Sequence, residues 1–311
     1  MSHPPRFLVL RGGAIGDFIL TLPALQAIRA RWPGAYLELI GYPHIANLAL
    51  AAGLAEHVDS LDRAEMARFF SPLPAFSDEQ AAWLRSFDIV FSYLNDPGGV
   101  VRRNLQSAGA RLVIYGSPIV ESGHAIDHLL KPLESLAIYA EDRTPRLRLM
   151  ASVAEEGRAW LAGRGLGPGA FVLHPGSGSP AKNWPVERFV EIARRLRERG
   201  REILVVSGEA DVEVTAAFRR AMPDASFLEG RTLVGVAATL AACPHYLGND
   251  SGITHLAAAL GLSVCALFGP SRAERWGPRG ERVVVVRSAT EDIREIEIDE
   301  VWKTVKIGGA T

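Results

Sequence analysis

The sequence contains little cysteine and no surplus of charge of either sign. Its 311 residues include two cysteines, Cys243 and Cys265, in apolar surroundings without the spacing of a metal site or a redox pair. This usage is typical of a reducing compartment. Lysine and arginine number 34 against 35 aspartates and glutamates, so the formal net charge is −1. Because proteins that bind duplex nucleic acid usually carry a basic stripe, we expect no nucleic acid partner.

Long hydrophobic runs are also missing. The apolar run Phe7–Leu10 is too short for a signal-peptide core or a membrane span, and Gly261 divides the most apolar region, Leu256–Gly269. We therefore expect a cytoplasmic protein, with peripheral contact at the inner face of the cytoplasmic membrane as an open alternative. The chain also lacks an Asp-x-Asp pair that would bridge Mg²⁺ to a diphosphate. No metal and no cofactor are expected.

Short apolar runs alternate with amphipathic helical patterns along the chain. This alternation is typical of parallel sheets covered by helices on both faces. A polar stretch at 140–148 predicts a linker between two domains, 1–148 and 149–311. Packing of the last helix against the first domain is an open alternative. We expect an α/β protein of two doubly wound (Rossmann-like) domains facing a central cleft. The predicted strands are Arg6–Leu10, Tyr36–Ile40, Ile89–Tyr93, Leu112–Tyr115, Phe171–Leu173, Glu202–Val206, Tyr246–Leu247 and Val264–Leu267.

The stretch Phe171–Pro185, FVLHPGSGSPAKNWP, is the most informative in the chain. Its apolar start predicts a buried strand, and the Gly/Ser/Pro loop that carries Lys182 leads into a helix after Pro185. Such a loop leaves backbone N–H groups able to hold phosphate, and Lys182 adds a full positive charge. The spacing is not that of a Walker loop. An ordinary βα turn therefore remains as an alternative.

Two further loops have the same strand-loop-helix form. Gly12, Gly13 and Gly16 follow the first strand, and Asp17 falls in the first turn of the next helix. This spacing differs from the dinucleotide-binding fingerprint, and the second strand ends without an acidic residue. In Leu247–Leu256, LGNDSGITHL, capping side chains lie between a strand end and another helix start. Ligands of such loops bind at the carboxyl ends of the strands.

These stretches resemble a known family. Arg6–Ala27, His174–Pro185 and Tyr246–Gly269 look like the signature blocks of glycosyltransferase family 9, the ADP-heptose:lipopolysaccharide heptosyltransferase family, and His124–Ile138 is similar to the region before its interdomain linker. The resemblance implies a GT-B fold and an inverting, metal-independent transfer of heptose or a related sugar. The donor would be an ADP-sugar, and the acceptor a lipopolysaccharide-core-type or other glycan or glycolipid.

The resemblance also implies roles for individual residues. Asp17 matches the base that removes the proton of the acceptor hydroxyl, and Lys182 matches the lysine that binds the donor diphosphate. The residues expected to bind the donor are Gly16, Ser177, Gly178, Ser179, Lys182, Glu209, Thr232, Leu233, Asp250, Ser251, Gly252 and His255. Structural alternatives stay open: Asp17 as a partner of the helix dipole, Asp250 as a cap and His255 as a core residue. His174 is expected to be structural.

The acceptor side carries less information. Arg102 and Arg103 suit the carboxylates of an acidic acceptor, or are ordinary surface arginines. The aromatic, proline-rich insert Met66–Phe76 is an acceptor lid, a lipid contact or a segment packed on its own domain. The chain departs from the family at Gly12–Ile15, where members often carry Ser-Ser or a similar pair ahead of the Gly-Asp step. Backbone N–H groups of this loop would then make the contacts that serine side chains make in other members.

Two other functions fit the same architecture. A nucleotide-sugar epimerase would convert the donor without any acceptor. A catalytically silent protein would keep the nucleotide-sugar pocket and turn nothing over, in which case removal of the Asp17 carboxylate would change nothing measurable.

Overall fold

The chain divides between Arg143 and Thr144 into two compact units. The computed structural model describes residues 3–308, and of residues 306–308 the backbone alone. The sequence-based boundary at 148/149 falls in the stretch from Ala137 to Met150, which contains no helix or strand. Each unit is built on one parallel sheet.

The first unit contains a sheet of five parallel strands in the order β3-β2-β1-β4-β5. Its strands are β1 (Arg6–Leu10), β2 (Tyr36–Gly41), β3 (His57–Ser60), β4 (Ile89–Ser92) and β5 (Val113–Tyr115). Its helices are α1 (Ile15–Arg31), α2 (Pro43–Ala51), α3 (Ala64–Ala67), α4 (Asp78–Arg85), α5 (Val100–Ser107) and α6 (Ala125–Leu130), with 3₁₀ turns at Arg68–Phe70 and Lys131–Leu136.

The middle of this sheet positions the loop that precedes α1. Phe7–Leu10 of β1 are fully buried, as expected for a central strand covered on both faces. The strand order reverses between β1 and β4, so the carboxyl ends of these two strands flank a topological switch point, where ligands of open α/β sheets bind. The loop from β1 to α1 starts there.

The second unit contains a sheet of six parallel strands in the order β11-β10-β9-β6-β7-β8. Its strands are β6 (Phe171–His174), β7 (Ile203–Val206), β8 (Ser226–Leu228), β9 (His245–Asn249), β10 (Ser263–Phe268) and β11 (Val283–Arg287). Its helices are α7 (Ala151–Ala162), α8 (Val186–Arg197), α9 (Val212–Ala221), α10 (Leu233–Leu240), α11 (Gly252–Ala259), α12 (Ala273–Trp276) and α13 (Ile298–Gly308), with 3₁₀ turns at Pro180–Lys182, Glu209–Asp211 and Ile293–Glu295. The switch point here lies between β6 and β9.

The core of the second unit fixes the segment after the Lys182 loop. Trp184 is fully buried, packs edge-on against Phe189 with ring centroids 5.2 Å apart, and donates its indole N–H to the carbonyl of Ile296 at 2.9 Å. Val301 and Val305 bring the last helix, α13, into the same core. The chain after Lys182 is therefore anchored in the interior within two residues.

The prediction of two α/β domains with parallel sheets is confirmed, with local corrections. In the segment that follows His124, α6 ends at Leu130 and gives way to a 3₁₀ turn because Pro132 has no N–H to continue an α-helix. The sequence analysis missed β3, β8 and β11. Each is an edge strand, and β3 and β8 are only four and three residues long, which leaves little hydrophobic pattern to recognise.

Within residues 3–308, every helix is too short or too polar to cross a bilayer.

Candidate functional site

Asp17 occupies the first turn of α1, close to the switch point of the first sheet. Its Oδ2 accepts a hydrogen bond from the N–H of Ala14 at 2.9 Å, and its side chain is 36% exposed. The backbone carbonyl of Asp17 accepts from the hydroxyl of Thr21 at 2.8 Å. The loop thus fixes one carboxylate oxygen, and Oδ1 keeps lone pairs for a further proton. The N–H of Ala14 is thus already engaged by the side chain of Asp17.

Arg11 is a second charged residue at this loop, and the sequence analysis did not identify it. Its Nη2 donates to the backbone carbonyl of Asp17 at 3.0 Å and lies 3.5 Å from Oδ1, while its Nε donates to Thr21 at 2.9 Å. The side chain is buried, which lowers the pKa of Arg11, and the charge of Asp17 opposes this shift. Arginine remains protonated in proteins all the same. Arg11 therefore places a buried positive charge beside Asp17.

Gly13 lets this loop close on the carboxylate. Its φ is +99°, and a Cβ at this position would lie 2.8 Å from Asp17 Oδ2. We expect Gly13→Ala to lower the free energy of unfolding of the first unit by about 1–2 kcal/mol, because an L-residue is strained in this region. Urea denaturation measures the change. Gly12→Ala is the matched control, since its Cβ would meet Leu61 at an ordinary 3.5 Å. Equal stability of the two variants would contradict the close approach at Gly13.

Lys182 ends the 3₁₀ turn between β6 and α8 and faces the block after β9. Its ammonium donates to Asp250 Oδ2 at 2.7 Å. Asp250 is 7% exposed, and its backbone N–H donates to the carbonyl of Leu267 at 2.9 Å. The pair bridges the two strands of the switch point, because Lys182 follows β6 and Asp250 follows β9. The ammonium group of Lys182 carries a full positive charge, and its partner is the carboxylate of Asp250. An anion that binds Lys182 therefore meets both groups.

Two side chains hold the Lys182 loop in place. Asn249, fully buried at the end of β9, donates to the carbonyl of Pro175 at 2.8 Å and accepts from the N–H of Trp184 at 3.1 Å. Ser177 is buried, its hydroxyl lies 2.6 Å from Asn183 Oδ1, and it accepts from the N–H of Ser179 at 3.2 Å. Ser177, predicted to contact a donor, is thus engaged in shaping the loop. Asn249 joins both ends of the loop, a role that the sequence did not reveal.

The start of α11 is capped from within. Ser251 is the N-cap, and its hydroxyl accepts from the N–H of Thr254 at 3.3 Å. The same hydroxyl lies 3.1 Å from Nδ1 of His174, a buried residue that the sequence analysis expected to be structural. The other ring nitrogen of His174 lies 3.0 Å from Asp211 Oδ2. Burial acts to raise the pKa of Asp211, but the hydrogen bonds from His174 and the N–H of Gly208 outweigh it, so this pKa lies below its ordinary value.

The structure places the predicted donor residues of the second unit at one edge of its sheet. They follow the carboxyl ends of successive strands: Ser177, Gly178, Ser179 and Lys182 after β6, Glu209 after β7, Thr232 and Leu233 after β8, and Asp250, Ser251, Gly252 and His255 after β9. Glu209 is exposed, the Thr232 hydroxyl caps α10 by accepting from Gly235 at 3.2 Å, and His255 is buried within α11. Gly16, the remaining predicted residue, lies in the first turn of α1 beside Asp17.

The predicted acceptor residues lie in the first turn of α5, which follows β4, the other strand at the switch point of the first sheet. Arg102 and Arg103 are exposed on α5. Asp96 already caps this helix by accepting from the N–H groups of Val101 at 3.1 Å and Arg102 at 3.0 Å, and Arg103 donates to the carbonyl of Gly98 at 2.7 Å. The contact of these arginines with an acceptor stays a prediction.

Metal-ligating clusters are not found in the part of the chain that the structure describes. Burial raises the pKa of Cys243 and of Cys265 to about 12, so neither thiol is a nucleophile near neutral pH.

Comparison with known proteins identifies the family. The model of glycosyltransferase family 9 (heptosyltransferase) matches residues 113–305. A lipopolysaccharide heptosyltransferase 1 of Pseudomonas aeruginosa is 26% identical over 90% of this chain and 82% of its own, and a lipooligosaccharide heptosyltransferase 2 of Haemophilus influenzae is 30% identical over 42% of this chain and 38% of its own. This chain thus aligns with little more than a third of the Haemophilus relative.

Solved structures agree on the fold. A family 9 glycosyltransferase of Veillonella parvula superposes with a TM-score of 0.80 at 18% identity over 99% of this chain and 98% of its own. An Escherichia coli heptosyltransferase with ADP-2-deoxy-2-fluoro heptose superposes with a TM-score of 0.73 at 19% identity, over 97% and 99% of the two chains. The fold is therefore GT-B, as the resemblance implied. The chain belongs to glycosyltransferase family 9.

Proposed function

We propose that the protein is an inverting glycosyltransferase that moves heptose from an ADP-sugar to a lipopolysaccharide-core-type acceptor without a metal ion. The observation that carries the proposal is the Lys182–Asp250 pair at the β6/β9 switch point, with the N-terminus of α11 beside it. A lysine and backbone N–H groups at one strand edge suit a diphosphate. Membership of family 9, and relatives that carry the name heptosyltransferase, support heptose as the sugar.

In this proposal the reaction is a single displacement at the anomeric carbon. Asp17 takes the proton of the acceptor hydroxyl on Oδ1, the acceptor oxygen forms a bond to the anomeric carbon, and the bond from that carbon to the diphosphate breaks. The electron pair leaves on the diphosphate, whose growing charge Lys182 offsets. Since attack and departure take place on opposite faces, the configuration inverts. Buried Arg11 holds Asp17 in place, because its Nη2 donates to the backbone carbonyl of Asp17 and lies 3.5 Å from Oδ1.

Asp250 would exchange partners when the donor binds. Its Oδ2 now accepts from Lys182. A diphosphate that binds Lys182 weakens this bond and leaves the carboxylate free to accept from a sugar hydroxyl. One residue pair would in this way recognise both the phosphate and the sugar portion of the donor.

Nucleotide titration followed by turnover tests the proposal. We expect ADP to bind more tightly than UDP or GDP, with the same affinity in the presence of Mg²⁺ and of EDTA. ADP release from ADP-heptose is expected only when a heptose-free core acceptor is added. Conversion of the donor without acceptor would indicate an epimerase, and ADP binding without any turnover would indicate a silent binding protein. Binding of no nucleotide would contradict the proposal as a whole.

We further propose a cytoplasmic enzyme whose first unit touches the membrane that carries its acceptor. In the insert Met66–Phe76, Met66 and Phe69 pack into the core of this unit, whereas Leu73 is 88% exposed and Phe70 48% exposed. Asn104, buried beneath, donates its amide N–H groups to the carbonyls of Phe69 and Ser71 at 2.9 and 2.8 Å. The exposed apolar side chains are thus presented on a fixed loop, which suits shallow insertion between headgroups.

Vesicle binding tests this contact. The double substitution Phe70→Ser and Leu73→Ser is expected to lower co-sedimentation with phosphatidylglycerol vesicles at least severalfold, since it removes the exposed apolar area. Val284→Ser serves as the control, because Val284 is 50% exposed on β11 of the second unit. Equal binding of both variants would argue against a role for the insert.

A further inference from the structure

A buried chain of three side chains connects two of the donor loops. His174, at the last position of β6, is 3% exposed. One ring nitrogen, Nε2, lies 3.0 Å from Asp211 Oδ2, and the other, Nδ1, lies 3.1 Å from the hydroxyl of Ser251. Asp211 ends the turn that begins with Glu209, and Ser251 caps α11. The three residues are far apart in the chain, and their side chains lie in contact at the carboxyl edge of the sheet.

The chemistry of the groups sets the direction of both hydrogen bonds. A carboxylate only accepts, so Nε2 carries the proton and donates to Asp211. In the neutral imidazole Nδ1 is then an acceptor, and the hydroxyl of Ser251 donates to it. The oxygen of Ser251 accepts in turn from the N–H of Thr254. The hydroxyl of Ser251 also lies 3.1 Å from Oγ1 of Thr254, so the side chains towards which its proton is directed, His174 and Thr254, are both buried.

The surrounding backbone is built around this chain. A Cβ on Gly176 would lie 1.8 Å from Asp211 Oδ1, so the Lys182 loop passes directly over the carboxylate. The N–H of Gly208 donates to Asp211 Oδ2 at 2.8 Å. Every contact of Asp211 is thus with a segment that leaves the carboxyl edge of the sheet, at β6 or at β7.

We infer that His174 and Asp211 are positioning residues for the nucleotide-sugar donor, which act by fixing the hydroxyl of Ser251 and with it the start of α11. Ser251 then does not donate to the donor phosphates, and the ligand contacts of this block come from Asp250 and the backbone N–H groups that open α11. This inference rests on the proposed function, because it concerns the site at which the donor would bind. Ser251 is then not a ligand of the nucleotide sugar. It is the last member of the hydrogen-bonded series Asp211, His174 and Ser251, which we call the relay.

Two substitutions of His174 separate its two bonds. In H174Q the amide nitrogen reaches the place of Nε2 and keeps the bond to Asp211, but no acceptor faces Ser251. In H174N the amide oxygen takes the place of Nδ1 and accepts from Ser251, but Asp211 loses the side-chain donor and keeps the N–H of Gly208. Loss of a partner for a buried carboxylate is the more destabilising of the two changes. We therefore expect H174N to have the lower melting temperature.

The affinity for ADP is expected to follow the opposite order. Calorimetric titration should give H174N within about twofold of the wild-type protein, and H174Q about tenfold weaker, because Ser251 is correctly held only in H174N. In an S251A background the two His174 variants should bind ADP equally, because the hydroxyl through which His174 is proposed to act is then missing. Affinities that follow the melting temperatures would overturn the relay and leave His174 a stability residue.

A further comparison remains decisive if H174N does not fold. H174Q and S251A both remove the bond to Ser251 and leave Asp211 paired, so each is expected to bind ADP about tenfold more weakly, and the double variant no more weakly than either. Additive losses in the double variant would overturn the relay. If the wild-type protein does not bind ADP, the proposed function itself is overturned. If the wild-type protein binds ADP and the variants bind it with the same affinity, only the relay is overturned.

Discussion

Asp17→Asn is expected to lower the rate of heptose transfer about a thousandfold while the affinity for ADP stays within about twofold. General bases contribute roughly 10²–10⁴ to the rate, and an amide cannot take up the acceptor proton. Asparagine preserves the shape of the side chain and an oxygen that accepts from the N–H of Ala14, so the loop should stay in place. The measurement is ADP release under saturating donor and acceptor, together with calorimetric titration of ADP.

Asp78→Asn is the matched control for this substitution. Asp78 is an exposed carboxylate in the first turn of α4, where it faces the same helix-dipole interaction as Asp17 in α1. If Asp17 were only a partner of the dipole, both substitutions would cost a few tenths of a kcal/mol in stability and little activity. Turnover of Asp17→Asn within tenfold of the wild-type rate would remove the assignment of the base.

Lys182→Met is expected to weaken ADP binding and to slow transfer, each by about tenfold to a hundredfold. The substitution keeps most of the apolar stem and removes the charge that would bind the diphosphate, and a hydrogen bond to a charged group contributes about 1.5–3 kcal/mol. It also leaves the carboxylate of Asp250 buried without its cation. Because Lys182 is about a third exposed, we expect a modest loss, with a melting temperature lower by about 2–4 °C.

The double variant Lys182→Met with Asp250→Asn separates the two effects. Replacing the orphaned carboxylate with an amide should restore the melting temperature, whereas the affinity for ADP should stay low because the positive charge is still missing. Lys303→Met, an exposed lysine of α13, is the control for loss of charge alone. Wild-type affinity for ADP in Lys182→Met would contradict the role of this lysine, whatever happened to the stability.

The glycine loops and their charged residues could be predicted because their signals are local. Gly12–Gly16 with Asp17, and the stretch from Phe171 to Pro185, each place a strand, a turn and a helix start within about fifteen residues, and the physical roles follow from that order. The apolar run Val283–Val286 of β11 carries a comparable local signal and could have been recognised as a strand. The polar strand β3, HVDS, could not, because its pattern is that of a solvated edge.

The residues that support the site could not be predicted, because their partners are remote in the chain. Asn249 meets Trp184 across 65 residues, and His174 meets Asp211 across 37. A buried amide or imidazole of this kind belongs to no periodic pattern or motif in the sequence. Its contribution to the structure depends on which groups the fold brings next to it. Ser177 was proposed from its sequence position as a ligand contact, which stays a prediction, and the fold adds hydrogen bonds of its hydroxyl within the loop that the sequence did not indicate.

The ion pair between Lys182 and Asp250 has a consequence for selectivity in a crowded solution of small anions. Any anion that approaches Lys182 competes with a carboxylate that is tethered 2.7 Å away and therefore present at a very high local concentration. Inorganic phosphate offers one charged group and few other contacts, so it displaces Asp250 poorly. A nucleoside diphosphate brings further contacts along the sheet edge that offset the displacement. In the proposed donor site Asp250 would therefore compete with small anions for Lys182 and favour ligands that make further contacts.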